Sequence, residues 1–352
     1  MRDEGLFRLE RSGILALGEY VPGSELIVGD RLVRSGGLLR RWGNDGNLEA
    51  TGLLIHWASR DNAMEYSASA PILSMSDGQV SERRGRALLV RDGFAVPAWL
   101  PPVYRFDTER IGKVIVSTQP VQRPGSQGPS PIELQGIDSM SGEYDERGVI
   151  LALNNGEYEK GFALCMVCGY AASETEADVG KRNEALPESF TEHAPMWAQS
   201  MKDVCKWETP LPRRNLGLAA KQETNVLRIR PSTGLGLGSR RVASAVATAL
   251  AMAGARLMQL DAREIGAVSA YGKFGFEAVL WDNNPGGSGL LEDLCDDARS
   301  WFNKAADLLY VNEEHHQRCE TGCILCLLAF STQGDVALRR FDRPEAFKVL
   351  RQ

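Results

Sequence analysis

A chain of 352 residues with 43% hydrophobic and 24% charged side chains has the composition of a folded globular protein and the length of two or three domains, which excludes a disordered or fibrous chain. Its formal net charge of −6 excludes a protein whose overall field draws nucleic acid, and leaves only a local basic patch for that task. No apolar run is long enough to span a bilayer, and the N-terminal MRDEGLFRLERSG mixes charges where a secretion signal would be apolar, so a cytoplasmic protein with no membrane partner is expected.

In chain order, residues 1–117 are expected to form a β-rich domain. Leu26-Ile27-Val28 and Leu32-Val33 flank Gly29-Asp30, the pattern of a hairpin with a two-residue primed turn. Ala87 to Val90 and Ile111 to Val116 read as further short strands. Residues 118–136 begin with TQPVQRPGSQGPSP, which holds four prolines and two glycines with almost nothing apolar, and are expected to be a linker. Residues 137–210 are expected to be a zinc-knuckle region and 211–352 an α/β domain, giving an α/β protein that is α+β overall. In that last part Val242, Ala245, Val246, Ala249, Leu250, Ala253 and Leu257 recur at helical spacing between the short β-type runs Val226 to Ile229 and Phe276 to Trp281. A second amphipathic helix is predicted from about Leu290 to Leu309, with Cys295 on its apolar stripe between Leu291 and Ala298.

Seven cysteines is an odd number, and in a reducing compartment thiols serve metal binding, catalysis or burial. Cys319, Cys323 and Cys326 fall within eight residues around Gly322, a spacing that lets three thiolates meet one tetrahedral zinc. A closed site needs a fourth ligand, and His316 is preferred over the adjacent His315. Cys165-Met-Val-Cys168-Gly169 is a knuckle half-site. His193 and Cys205 follow it in a stretch poor in apolar residues, so Cys165, Cys168, His193 and Cys205 are read as a second zinc site that staples its own region. The competing readings are buried or redox-active thiols at the C-terminal trio and a thioredoxin-like pair at Cys165 and Cys168, although a thioredoxin motif would open a helix. Cys295 is expected to be a core residue.

The turn Trp281-Asp-Asn-Asn-Pro-Gly-Gly-Ser-Gly289 precedes a helix, and its backbone amides at Gly286, Gly287 and Gly289 are candidates for holding phosphate, with Arg240 and Arg241 as further DNA contacts; tight strand-to-helix packing is the simpler explanation of the glycines. Gly234-Leu-Gly-Leu-Gly238 lacks the spacing of a dinucleotide fingerprint. The nucleotide-binding G-x-x-x-x-G-K-[ST] loop, the G-x-S-x-G elbow and the H-E-x-x-H helix are all absent, so no enzyme activity is expected.

VLWDNNPGGSGLLEDL, CETGCILCLLAF and FDRPEAFKVL together resemble the MrfA-associated zinc-binding domain at the C-terminus of mitomycin-repair-type superfamily 2 helicases, a domain also found in component B of the DISARM anti-phage system. LNNGEYEKGFALCMVCG is similar to the stretch around the first knuckle of the DISARM protein, and GEYVPGSELIVGDRLVRSGGL to the segment following the helicase motor. The family pattern has one more cysteine, two residues before Cys319. Here that position is Gln317, so the fourth ligand falls to His316, His315 or Cys295. The resemblance implies a zinc-binding, non-catalytic subunit that acts on DNA through a separately encoded superfamily 2 helicase in a DISARM-like defence complex. A DNA-repair accessory subunit is the first alternative. A metal-dependent DNA-processing enzyme using Asp261, Glu264, Glu277 or Asp282 is the second, and a redox sensor the third.

Overall fold

The computed structural model describes residues 13–28, 31–38, 52–60, 63–67, 81–89, 94–95, 114–119, 129–158, 160–175, 186–209, 211–272 and 274–351. The Gly29-Asp30 turn, Val90, Ile111 to Lys113 and residues 120–128, all of which carried expectations, lie outside them. The protein is a mixed α/β chain with largely antiparallel strands. It forms two compact units, one of residues 1–117 and 151–221, the other of residues 118–150 and 222–352. The stretch expected as a linker supplies a strand, Ser130–Ile132, which pairs antiparallel with Gly142 to Tyr144.

In the first unit, Glu25–Val28 and Arg31–Arg34 pair antiparallel, with Glu25 opposite Arg34 and Val28 opposite Arg31. Gly52–Arg60 lies between Ala63–Ser67 and Ser81–Leu89, antiparallel to both. Gly217 to Ala219 add parallel to Ala87 to Leu89. The short strand Phe162–Leu164 pairs with Ala171–Ser173 and presents the first cysteine knuckle. Gly37 and Leu38 reach the same knuckle: the Leu38 amide donates to Gly169 O and the Ala171 amide to Gly36 O.

The second unit is organised by the helix Arg240–Leu257, whose alanine-rich face is almost wholly buried. Ser239 caps it, its hydroxyl accepting from the Val242 amide at 3.2 Å, which satisfies one of the otherwise unpaired first-turn donors. The helix packs on the strands Ile265–Gly272 and Gly275–Asp282 and on the helices Ala298–Leu309 and Arg343–Arg351. Trp301 locks one of these contacts by donating from Nε1 to Leu250 O at 2.7 Å.

Two sequence expectations need correction here. The strand Ile265–Gly272 was not expected: IGAVSAYG is rich in small residues and has little β-type bulk. Its pairing explains the composition, because Gly266 lies under the Trp281 ring where a side chain would collide. Gly275–Asp282 is thereby returned antiparallel to Val226 to Ile229, so the expected strand, helix and strand unit contains an extra hairpin. The predicted helix from Leu290 to Leu309 is two helices, Leu290–Asp296 and Ala298–Leu309. The Gln135 amide takes Cys295 O at 3.0 Å and the Arg299 amide turns to Gln135 O at 3.2 Å, so a foreign peptide is inserted into what would have been one helical hydrogen bond. Such insertion breaks a helix.

Cys295 is fully buried in this core beside Leu291, Leu294 and Ala298. Burial pushes its thiol up to about 12, and it belongs to neither cysteine cluster. Cys295→Ala is expected to keep the full metal content while lowering the unfolding free energy by about 1 kcal/mol, as a small buried truncation does. Loss of metal in that variant would show a ligand role instead.

Candidate metal centres

The first centre begins with an antiparallel pair of short strands. Their connection closes with the Cys165 amide donating to Tyr170 O at 2.8 Å and the Gly169 amide to Cys165 O at 3.0 Å. Gly169 sits at φ 85°, the left-handed conformation this turn demands. The knuckle is followed by a strand and not a helix, which removes the thioredoxin-like reading. His193 arrives just after the short helix Glu188–Thr191, and the Cys205 amide donates to His193 O at 3.0 Å.

All four side chains are buried, and their ligand atoms lie within 4.8 Å of one another. The Cys165 and Cys205 sulfurs are 3.8 Å apart, and Cys168 Sγ is 3.3 Å from His193 Nε2. A tetrahedral zinc with Zn–S bonds of about 2.3 Å separates its sulfurs by about 3.8 Å, whereas a disulfide would bring them to about 2.0 Å. His193 Nδ1 donates to Phe190 O, which places the Nε2 lone pair among the thiols, the orientation seen when a second hydrogen bond sets a metal-binding tautomer. Tyr170 stacks on the same imidazole at 4.4 Å, and Phe190 and Trp207 close the cluster. Contact with Cys168 holds the Cys165 sulfur down at about 4; that contact and burial push Cys168 up, and burial raises Cys205 to about 11. One thiolate among buried thiols is an arrangement that a soft cation completes.

The second centre gathers His315, Cys319, Cys323 and Cys326, again with ligand atoms within 4.8 Å. Its sulfurs are separated by 3.7 Å between Cys319 and Cys326 and by 3.8 Å between Cys323 and Cys326. Cys319 closes the helix Glu313–Arg318, and the Cys323 amide donates to Cys326 Sγ at 3.3 Å. Burial raises Cys319 to about 12 and also raises Cys326. Burial, assisted by Arg343 and His316, lowers His315, which favours the neutral imidazole a metal requires. His315 Nε2 is buried with no hydrogen-bond partner, an uncompensated polar atom that a metal would satisfy.

The preference for His316 is therefore corrected. Its ring packs between Tyr310 and Phe347, and its Nδ1 is 3.5 Å from Arg343 Nη1. A signal was present in the spacing: residues 315, 319 and 323 advance in steps of four, which places His315 and Cys319 on one side of a helix, whereas 316 is turned away by about 100°. Arg343 was not singled out in the sequence at all. It is fully buried and donates to the carbonyls of Cys319, Leu309 and His316, tying the ligand-bearing turn to the preceding helix.

The Pro-Gly-Gly turn has the simpler role. Its amides are spent inside the protein: Gly286 to Glu223 O at 2.9 Å, Gly287 to Asn284 O at 2.9 Å, Ser288 to Asp282 Oδ2 at 2.6 Å and Gly289 to Asn225 Oδ1 at 3.1 Å. Gly287, at φ 75°, also lies where a Cβ would overlap the Asn225 amide. With Glu292 and Asp293 in the first turn of the next helix, the phosphate reading of Gly286, Gly287 and Gly289 has no donors left and the wrong local charge.

Arg240 and Arg241 stand at the start of the long helix, Arg240 over the Phe276 ring at 5.6 Å and Arg241 donating to Phe341 O at 3.0 Å. The four candidate carboxylates do not converge. Asp261 pairs with Arg263, Glu264 accepts from Asn284, Glu277 is buried beside Arg228 and Arg230, and Asp282 orders its own turn. No helix among the described residues is long and apolar enough to cross a membrane.

Two solved structures are similar over part of the chain. One is described as the DUF1998 helicase MrfA bound to DNA, 12% identical over 68% of this chain and 25% of that one, with a TM-score of 0.35. The other is described as the DUF1998 helicase MrfA, 13% identical over 66% and 25%, with a TM-score of 0.29. The chain thus spans about a quarter of the length of those helicase chains. No curated protein matches it. Residues 246–327 match the family model of the MrfA Zn-binding domain, a range that contains all four members of the second cluster. That part of the chain is similar to the MrfA Zn-binding domain family.

Proposed function

We propose that the protein is a non-catalytic, zinc-binding subunit that works beside a separately encoded superfamily 2 helicase on DNA, in a defence complex of the DISARM type. The observation that carries the reading is the His315, Cys319, Cys323 and Cys326 cluster inside a domain of a family named for a helicase, on a chain without the phosphate loop of a motor. Both ligand sets are complete at four. A zinc held there has no open position for a catalytic water, so its contribution is to hold the fold.

The test is co-expression with a separately encoded superfamily 2 helicase. Stable co-purification is expected, with ATP hydrolysis confined to the helicase and no hydrolysis by this chain alone. Charge reversal at both Arg240 and Arg241 should weaken DNA binding by the complex about tenfold or more, since each phosphate contact adds its own salt-dependent increment, while zinc content and assembly are unchanged. ATP hydrolysis by the isolated chain, or failure to associate with the helicase, would overturn the accessory role.

A further inference from the structure

The hairpin of Ile265–Gly272 and Gly275–Asp282 ends in a group of rings and guanidinium groups that neither metal centre uses. Its register pairs Tyr271 with Phe276 and Gly272 with Gly275. Tyr271 and Phe276 meet edge to face at 5.1 Å, and Phe274 stands in the turn. Tyr271 is 39% exposed and Phe274 40%, so two aromatic surfaces face solvent at one hairpin end.

Arginines frame them. Arg230 lies 4.9 Å from the centre of the Phe274 ring and Arg240 5.6 Å from that of Phe276. Arg230 is oriented from its other side by Glu143 at 2.7 Å and Glu277 at 3.5 Å, with Arg228 3.7 Å from Glu277. Arg228 and Arg230 lie beside Glu143 and Glu277, and Arg240 stands over Phe276, so this end carries cationic side chains on a chain of net charge −6. A cavity of about 450 Å³ borders the hairpin through Gly236 and Leu237, and the Leu237 amide donates to Phe276 O. Asp138 and Glu345 line that cavity.

We infer that this hairpin end is a platform for single-stranded nucleic acid, with bases stacking on Tyr271 and Phe274 and the backbone following Arg240 and Arg241. Exposed rings give stacking surfaces to any base, and guanidinium groups beside them supply the charge. A duplex hides its base faces, so the platform selects single strands. Arg230 acts as a positioning residue that sets the Phe274 ring. The inference rests on the accessory-subunit reading for its biological setting and on the hairpin alone for its chemistry.

The experiment titrates the full chain into a labelled oligothymidylate and into a duplex of equal length at low ionic strength, following fluorescence anisotropy. The single strand is expected to bind more tightly. Tyr271→Ala with Phe274→Ala should weaken it by about 10- to 100-fold, the loss of two stacked bases, with zinc content and circular dichroism unchanged. Phe274→Leu keeps the apolar bulk without the stacking face and should lose affinity in the same direction. Arg240→Gln should reduce the salt slope by about one. Preference for the duplex, binding to neither polymer, or undiminished strand affinity in the double variant overturns the platform. Unchanged strand affinity with lost helicase co-purification in the double variant would make the hairpin a protein interface. Failure of the unaltered chain to co-purify, with strand binding intact, overturns the accessory reading alone.

Discussion

Elemental analysis of the purified protein is expected to find two zinc ions per chain, with one remaining in Cys168→Ser, one in Cys323→Ser and none in the double variant. The two ligand sets lie in separate units, so each variant should empty only its own site. The cost should be large, because apparent zinc-binding free energies at structural sites are on the order of 10 kcal/mol, comparable to the whole stability of a domain. Chelation should therefore strongly destabilise both regions.

The pH dependence of the two forms should differ in sign only above the ordinary thiol value, because below it the depressed Cys165 makes the metal-free form, like the zinc form, lose stability as pH falls. Metal-bound thiolates and imidazoles are displaced by protons, so the zinc form loses stability as pH falls. In the metal-free form, burial raises Cys319 to about 12 and Cys205 to about 11, above the ordinary thiol value of about 8.5. Groups raised on folding stabilise the fold fully below the unfolded value, and that contribution is lost as pH rises from there through the folded values. Thermal unfolding across pH 6 to 10, with and without chelator, reads both trends. A metal-free protein with undiminished stability at neutral pH would contradict the assignment.

Arg343→Met is expected to be the most damaging substitution outside the ligands themselves. Arg343 reaches Leu309 O at 2.6 Å and His316 O at 2.8 Å and also donates to Cys319 O, and its own amide donates to Glu320 O at 3.1 Å. Methionine fills much of the volume but leaves those carbonyls without their donors in a buried place. The loss should be roughly 3–5 kcal/mol, read from the urea midpoint, together with about a 10- to 100-fold weaker hold on zinc in competition with a chelator. Arg343→Lys should recover only part of this, since an ammonium cannot reproduce the planar fork. Wild-type stability in Arg343→Met would show that the three carbonyls find other partners and that the helix Arg343–Arg351 docks without them.

The elements legible from the sequence were those written in local pattern. Helical periodicity from Val242 to Leu257 gave the long helix to within a residue or two, the apolar runs around Gly29-Asp30 gave an antiparallel pair, and the spacing of Cys165 and Cys168 gave a knuckle. The same local chemistry brought Cys165, Cys168, His193 and Cys205 together as one candidate site, although His193 and Cys205 are far from the knuckle in the chain. Only the tertiary structure decided what depends on a distant peptide. Gln135 divides the predicted Leu290 to Leu309 helix by taking over a hydrogen bond between Cys295 and Arg299. Glu223 and Asn225 occupy turn amides that the sequence left available for phosphate. Arg343 and the docking of Tyr310 and Phe347 turn His316 aside and leave His315 facing the thiols. Periodicity and thiol spacing are properties of neighbours along the chain, whereas the partner of a backbone amide or of an imidazole nitrogen is set by whichever group folding brings within about 3 Å of it.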